Sequence, residues 1–240
     1  MSSSEASFQA GIPLLYVHRP YLAFCHIGKT HPHPHAPVNT HRQKEGKIKH
    51  IGVSNFGVNQ LKEALATGVT IAINQLCYNL IFRAIEFEIL PFCVANGIGV
   101  IAYSPLMQGI LTGNYATADD VPVYRARSRQ FDGKRAKSRH GEGGHEVVLF
   151  KAIDEVRKIA AETDISMAHL ALAWPLHQEG VCTVIAGVTK DHHIASNAAA
   201  AALKLTPEVV AKLNAATNDL KIAMGGNADL WQGGEDGRIN

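Results

Sequence analysis

Several short apolar runs in this 240-residue chain end on a residue that can do chemistry. The clearest is Gly97-Ile98-Gly99-Val100-Ile101-Ala102-Tyr103-Ser104-Pro105-Leu106, followed by Gly109. Its first half reads as a strand buried on both faces, as in a parallel sheet. Its second half lies just past the strand's C-terminal end, where loops and helix N-termini of α/β folds gather ligands. There Tyr103 offers a flat face and a hydroxyl, and Ser104 with the backbone N–H groups near the glycines offers donors to an anion. Ser54-Asn55 ends the run Ile48 to Val53, and both side chains can bond a carboxamide. The same pair also suits the N-cap of a following helix. Gln75 is polar inside the apolar run Ile71 to Tyr78 and needs a partner, either a ligand or a neighbouring backbone group. His18 closes Leu14-Leu15-Tyr16-Val17-His18, a strand ended by Arg19-Pro20.

The elements that must position these residues alternate between strand-like and helical patterns. Leu61, Ala64 and Leu65 line one face of a helix stopped by Gly68. A helix over Glu88 to Asn96 carries Pro91 in its first turn and ends at Gly97. Phe150, Ile153, Val156, Ile159 and Ala160 predict a helix over Glu146 to Thr163. Another follows through Met167, Leu170, Ala171 and Trp174. Cys182 to Gly187 is the last strand. The next helix is expected to face the core through Ile194, Ala198 and Leu203, and Thr206-Pro207 opens one more. Two stretches break the alternation. Residues 21 to 45 hold five histidines, including His31-Pro32-His33-Pro34-His35, and are expected to be irregular. That alternation holds no fixed geometry, so no metal site is expected. The segment 114 to 145 has no periodicity and carries Arg125, Arg127, Arg129, Lys134, Arg135, Lys137 and Arg139, the pattern of a solvated face or of a functional loop.

Three of these stretches, Gly46 to Phe56, Ile73 to Asn79 and Tyr103 to Leu106, resemble the aldo-keto reductase family in order and spacing. The likeness runs from about Leu14 to about Leu213. It implies an α/β fold, a partial (β/α)8 TIM barrel of parallel strands: about five strand-like runs are legible where the full barrel has eight. It implies reduction of a small-molecule aldehyde or ketone by hydride from NADP(H), with NAD as the alternative cofactor. Ser54, Asn55, Gln75 and Tyr103 then hold the nicotinamide. Ser104, Pro105, Leu106 and Gly109 also bind the cofactor, and Arg125 falls near a position that contacts its phosphates. Gly187, Thr189, His193 and Asn197 lie at the adenosine end, and His18 polarises the carbonyl. Asn114 stands where the family has Lys. Thr189, His193 and Ser196 also depart from the usual residues. The family's proton-donating Tyr, with its Lys and Asp, has no counterpart, because those residues precede the strand ending at His18. The expectation is an N-terminally shortened domain over residues 1–217 with impaired turnover and a loosely held tail over 218–240. The alternative is a non-catalytic dinucleotide-binding chain acting through association with another.

Composition narrows the partners. A net charge of +2 argues against nucleic acid or an anionic membrane surface as partner. The four cysteines are scattered, the first residues lack an apolar signal core, and no run approaches a membrane span, so a cytoplasmic location is expected. Neither the oligomeric state nor the substrate is legible.

Overall fold

The computed structural model describes residues 22–26 as backbone, and residues 41, 43–233 and 237–239 in full. Five parallel strands form one sheet in the order of the chain: β1 (Leu22–His26), β2 (His50–Ser54), β3 (Ile71–Cys77), β4 (Gly99–Tyr103) and β5 (Val181–Ile185). A partial TIM-barrel sheet of this kind puts every strand's C-terminal end on one rim. The registers show this directly: His26 pairs with Ser54, Ser54 with Gln75, Cys77 with Tyr103, and Tyr103 with Ile185.

Helices return the chain between strands and cover the sheet. They are α1 (Val58–Ala66), α2 (Ile89–Ala95), α3 (Glu146–Thr163), α4 (Met167–Ala173), α5 (His192–Ala202), α6 (Pro207–Ala216) and α7 (Asn218–Met224). Their ends follow local chemistry. Gly57 N–H donates to Gln60 Oε1 (2.7 Å) at the start of α1, and Gly68, at φ 80°, turns the chain out of it. Pro91 sits in the first turn of α2, where a missing N–H costs nothing. Leu149, Phe150, Ile153, Val156 and Ile159 form the buried stripe of α3, and the next residue after the helix, Asp164, is left-handed at φ 53°. Ser166 and Thr206 cap α4 and α6 by accepting from the N–H groups of His169 and Val209.

A polar brace ties the β3–α2 connection to the last helices. Buried Arg83 donates through Nε to Glu86 (2.8 Å), and through Nη1 to Asn214 O (2.8 Å) and Thr217 Oγ1 (3.0 Å). Glu86 also accepts from Tyr78 Oη and Lys221 Nζ, both at 2.8 Å. Burial works against the Glu86 charge, but these bonds hold its carboxyl below the usual range. Trp174, fully buried beside Tyr78, donates from Nε1 to Asn214 (2.8 Å). At the sheet's far edge the Cys182 thiol donates to Val100 O (3.2 Å), linking β5 to β4 through a side chain.

Four expectations give way to the structure. Within 21–45, Leu22–His26 is a strand paired with β2 over its full length: a short apolar run meets the unpaired N–H and C=O groups of a sheet edge. The strand proposed over Leu14 to His18 lies outside the described residues. Ile48 packs against the core but precedes β2. Ile194 is 52% exposed and Ala200, not Ala198, is buried. The reason is β5, which is only partly buried at all five residues and gives α5 no deep face to cover. The segment from Asn218, expected to be loose, forms α7 and then a tail with Ala228, Asp229 and Leu230 buried.

Asn74 shows how the sheet fixes the loop above it. It is 0% exposed, donates from Nδ2 to Phe56 O (2.8 Å) and accepts from Phe56 N–H (3.4 Å). Its removal takes both bonds away from the buried main chain of Phe56, so Asn74→Ala is expected to lower the unfolding free energy by about 1–3 kcal/mol. Urea unfolding followed by far-ultraviolet circular dichroism checks this, and an unchanged midpoint would count against the brace.

Candidate functional site

The ends of β2 and β4 meet above β3. Asn55 follows β2 in the left-handed region at φ 59°, a conformation Asn tolerates better than most residues. Its N–H donates to Gln75 O (2.9 Å), and Ser54 Oγ donates to the same carbonyl (3.4 Å). Tyr103 closes β4 and donates its hydroxyl to Asn55 Oδ1 (3.0 Å), which uses the amide oxygen and leaves the Asn55 NH2 as the group's donor. Burial pushes the Tyr103 hydroxyl well above its ordinary range, with Cys77 adding to the shift and the Asn55 bond opposing it. A phenol so shifted stays protonated and is a hydrogen-bond donor and flat surface, not a ready acid.

Ser54, Asn55 and Tyr103 line one cavity of about 170 Å³. Its opposite wall is the C-terminal tail: Asp229, Leu230, Trp231, Arg238 and Ile239. The tail is pinned from two sides. Asp229 is 1% exposed. It accepts from Trp231 N–H (3.0 Å) and from Arg238 through its N–H (3.1 Å), Nε (2.7 Å) and Nη2 (2.9 Å). Burial would raise its carboxyl, but the Arg238 and Trp231 bonds win and hold it below the usual carboxylate range. From the loop after β4, Arg129 donates to Asn227 O (3.1 Å) and Asp229 O (3.2 Å) while its Nε bonds Glu142. Sequence reasoning missed this wall. A signal was available in Asn227-Ala228-Asp229-Leu230-Trp231, where each Asx side chain accepts from the N–H two residues on.

The other proposed site residues fall into separate groups. Gln75 does not line the cavity; it contributes its main-chain carbonyl beneath Asn55. Ser104, left-handed at φ 57°, accepts at its carbonyl from Asn79 Nδ2 (3.0 Å), with Pro105 buried and Leu106 half-buried behind it. Gly109 has φ 89°, and a Cβ there would lie 2.8 Å from Arg125 Nη1. A side chain at this φ would be strained and the end of Arg125 would have to shift. Arg125 itself donates to Tyr115 Oη (2.7 Å) and lies on the Tyr124 ring. At the start of α5, Thr189 and His193 Nδ1 are 3.3 Å apart through Oγ1, and Asn197 Nδ2 donates to Gly187 O (3.5 Å). Gly187 and Thr189 are exposed, His193 and Asn197 half-buried, and none of them lines the cavity. His18 lies outside the described residues. The strand beside β2 ends instead at His26, in register with Ser54. Among the described residues no group of His, Cys, Asp or Glu could hold a metal ion, and no helix is long and apolar enough to cross a membrane.

The sequence model of the aldo/keto reductase family matches residues 10–218. The chain belongs to the aldo-keto reductase family. Among curated relatives it is similar to the NADH-specific methylglyoxal reductase of Escherichia coli (strain K12), 33% identical over 68% of this chain and 47% of that protein. It is also similar to a probable voltage-gated potassium channel subunit beta of Oryza sativa subsp. japonica, 31% identical over 68% of this chain and 51% of that one. The chain thus spans about half the length of these relatives. Among solved structures, the glycerol dehydrogenase of Gluconobacter oxydans superposes with a TM-score of 0.67 at 26% identity, covering 86% of this chain and 60% of that one. In this aldo-keto reductase chain, the loop after β4 and the tail together roof the rim on which the strand ends open.

The roof is pH-sensitive in one direction. Asp229 has a lowered folded pKa, so its stabilisation is complete above its unfolded value and is lost as pH falls through the folded one. Trp231 emission is therefore expected to hold steady from neutral pH down to about pH 4 and to move toward that of a solvated indole below it. In Asp229→Asn it should already be shifted at neutral pH. Identical emission in the two proteins at pH 7 would show that the carboxylate does not hold the tail.

Proposed function

We propose that this chain binds a nicotinamide dinucleotide across the C-terminal ends of β2, β3 and β4 and serves hydride transfer between it and a small carbonyl compound. The observation that carries this reading is the single cavity wall formed by Ser54, Asn55 and Tyr103 at the strand ends. These residues fit a flat ring bearing a carboxamide. The Tyr103 ring gives it a face, fixed by the bond to Asn55. The Asn55 amide NH2 and the Ser54 hydroxyl suit its polar edge, and the tail supplies the rest of the cavity's lining. When bound, the nicotinamide supplies the hydride. Gln75 acts here as an anchor for Asn55. The Ser104–Gly109 turn with Arg125 suits the diphosphate, since it combines left-handed backbone, a glycine and a cation.

NADP is the cofactor that the family resemblance implies at Gly187, Thr189, His193 and Asn197. Gly187 and Asn197 match the family, Thr189 stands where Ser or Arg is usual and His193 where Gln or Arg is usual, and a curated relative is NADH-specific, so both cofactors belong in the test. The carbonyl-polarising role falls to a histidine on the strand next to β2: His18 from the sequence pattern, or His26 from the observed register. The family resemblance leaves the proton-donating Tyr without a counterpart, and Tyr103 is shifted the wrong way to replace it. General acid catalysis contributes roughly 10²–10⁴-fold, so this chain alone is expected to bind cofactor with weak turnover. The second reading, a non-catalytic dinucleotide-binding chain acting through a partner, rests on that same shift. The unpaired thiols Cys77, Cys93 and Cys182 support a reducing, cytoplasmic location.

Titration with NADPH and NADH, followed by Trp231 quenching, is expected to saturate. Asn55→Ala should weaken affinity by about tenfold, the worth of one well-placed hydrogen bond. Loss of NADPH absorbance with 4-nitrobenzaldehyde should be slow, and should fall further in whichever of His18→Ala and His26→Ala removes the carbonyl donor. Absence of saturable binding of either cofactor would overturn the proposal.

A further inference from the structure

A second cavity, of about 300 Å³, adjoins the first. It is lined by Arg127, Lys137 and Arg139 of the loop after β4 and by Trp231, Gln232 and Arg238 of the tail. Trp231 and Arg238 stand on both walls, so the two cavities are neighbours across the tail. Four of the six lining side chains are cationic and none is a carboxylate. Arg238 is committed to Asp229. Among the described residues, no ion pair uses Arg127, Lys137 or Arg139. Of the neighbouring cations in the same loop, Arg129 pairs with Glu142, and Arg135 with Glu146 and Asp119. Three cations without an ion pair among the described residues therefore gather at this cavity. The Arg127 guanidinium lies over the Trp231 ring at 5.2 Å, which holds it in place. Its Nε is buried with no hydrogen-bond partner, as is Gln232 Oε1. A buried guanidinium N–H without an acceptor is a cost that an anion removes.

We propose that this cavity binds the carboxylate or phosphate group of the carbonyl compound, so that the substrate class is a small anionic aldehyde or ketone. The inference rests on the hydride-transfer reading for the word substrate, and on the cavity alone for the anion. The guanidiniums of Arg127 and Arg139 offer forked donors to a planar or tetrahedral oxyanion, and Lys137 adds a compact charge. The phosphates of the dinucleotide have the same chemistry. The residues that suit them, Arg125 beside Gly109 and the Thr189–His193–Asn197 group, do not line this cavity. An anion seated here lies across Trp231 from the Tyr103 wall, which suits a short molecule carrying its carbonyl toward that wall. Glu235 and Asp236, between Gln232 and Arg238 in the sequence, lie outside the described residues, and a variant without their charges belongs in the test.

Inorganic phosphate is titrated into the chain at low ionic strength, alone and with saturating NADPH, by calorimetry and by Trp231 emission. Saturable binding that survives NADPH and Glu235→Gln/Asp236→Asn is expected. Lys137→Gln/Arg139→Gln should weaken it by about tenfold or more, with the circular dichroism spectrum unchanged. 4-Carboxybenzaldehyde should displace phosphate where 4-methylbenzaldehyde does not, and should show the lower KM. That KM difference should vanish in the double Gln variant while kcat for 4-methylbenzaldehyde holds. Non-saturable binding, binding unchanged in the Gln variant, loss of the site in Glu235→Gln/Asp236→Asn, or competition by NADPH would each overturn the proposal. Phosphate binding without turnover of either aldehyde would instead sink the hydride-transfer reading and leave the anion site standing. Equal KM for both aldehydes without phosphate binding would do the reverse.

Discussion

The buried carboxylate of Asp229 is the constraint on which both cavities depend. A carboxylate taken out of water is costly unless every acceptor position is used. Here the charge is met by Arg238 and by main-chain N–H groups, so the residues on either side of it have little choice of position. Trp231 and Ile239 are thereby set against the strand ends, and Arg238 is placed between the cavities. Arg129 reaches the same turn from the loop after β4, so loop and tail form one roof. Without that carboxylate, only the Arg129 side of the pinning would remain.

Beneath the roof, the strand ends are held by unusual backbone. Asn55, Ser104, Met107 and Gln108 all have positive φ, which costs a residue with a Cβ. The bonds described above offset the cost. Asn55 is held by Gln75 O and Tyr103 Oη, and the Ser104 carbonyl by Asn79. A strained turn held by hydrogen bonds to two neighbouring strands cannot drift without breaking several contacts together. The result is a rigid floor under a roof pinned at a few points.

Much of the floor was legible in the sequence because its determinants are local. The stripe of α3, the cap at Thr206, the glycine stop after α1 and the polar ends of β2 and β4 all follow from spacing and residue type. The family pattern pointed to Ser54, Asn55 and Tyr103 together, and the fold does bring them to one cavity. What the sequence hid is non-local. Nothing in Leu22 to His26 announces that β2 has a free edge at which to pair. The exposure of Ile194 depends on β5 being thinly covered, a property of the sheet rather than of α5. The tail looked loose because its anchors, Asp229 and Arg238, are separated by glycines and meet only in three dimensions. Gln75 looked like a ligand-binding side chain, yet its main-chain carbonyl is what the neighbouring strand uses.

The thiol at the edge of the sheet has a separate consequence. Cys182 donates to Val100 O, and burial pushes its acidity down and its pKa up. Cys77 and Cys93 are buried more completely, Cys93 with its pKa raised to about 11. A thiol reacts as its anion and only when reached by reagent. Alkylation of the half-buried Cys182 therefore reports on the sheet's edge, while Cys77 at the end of β3 and Cys93 on α2 wait for deeper openings. The chain carries its own timers for its edge and its core, distinguishable by mass after a single labelling experiment.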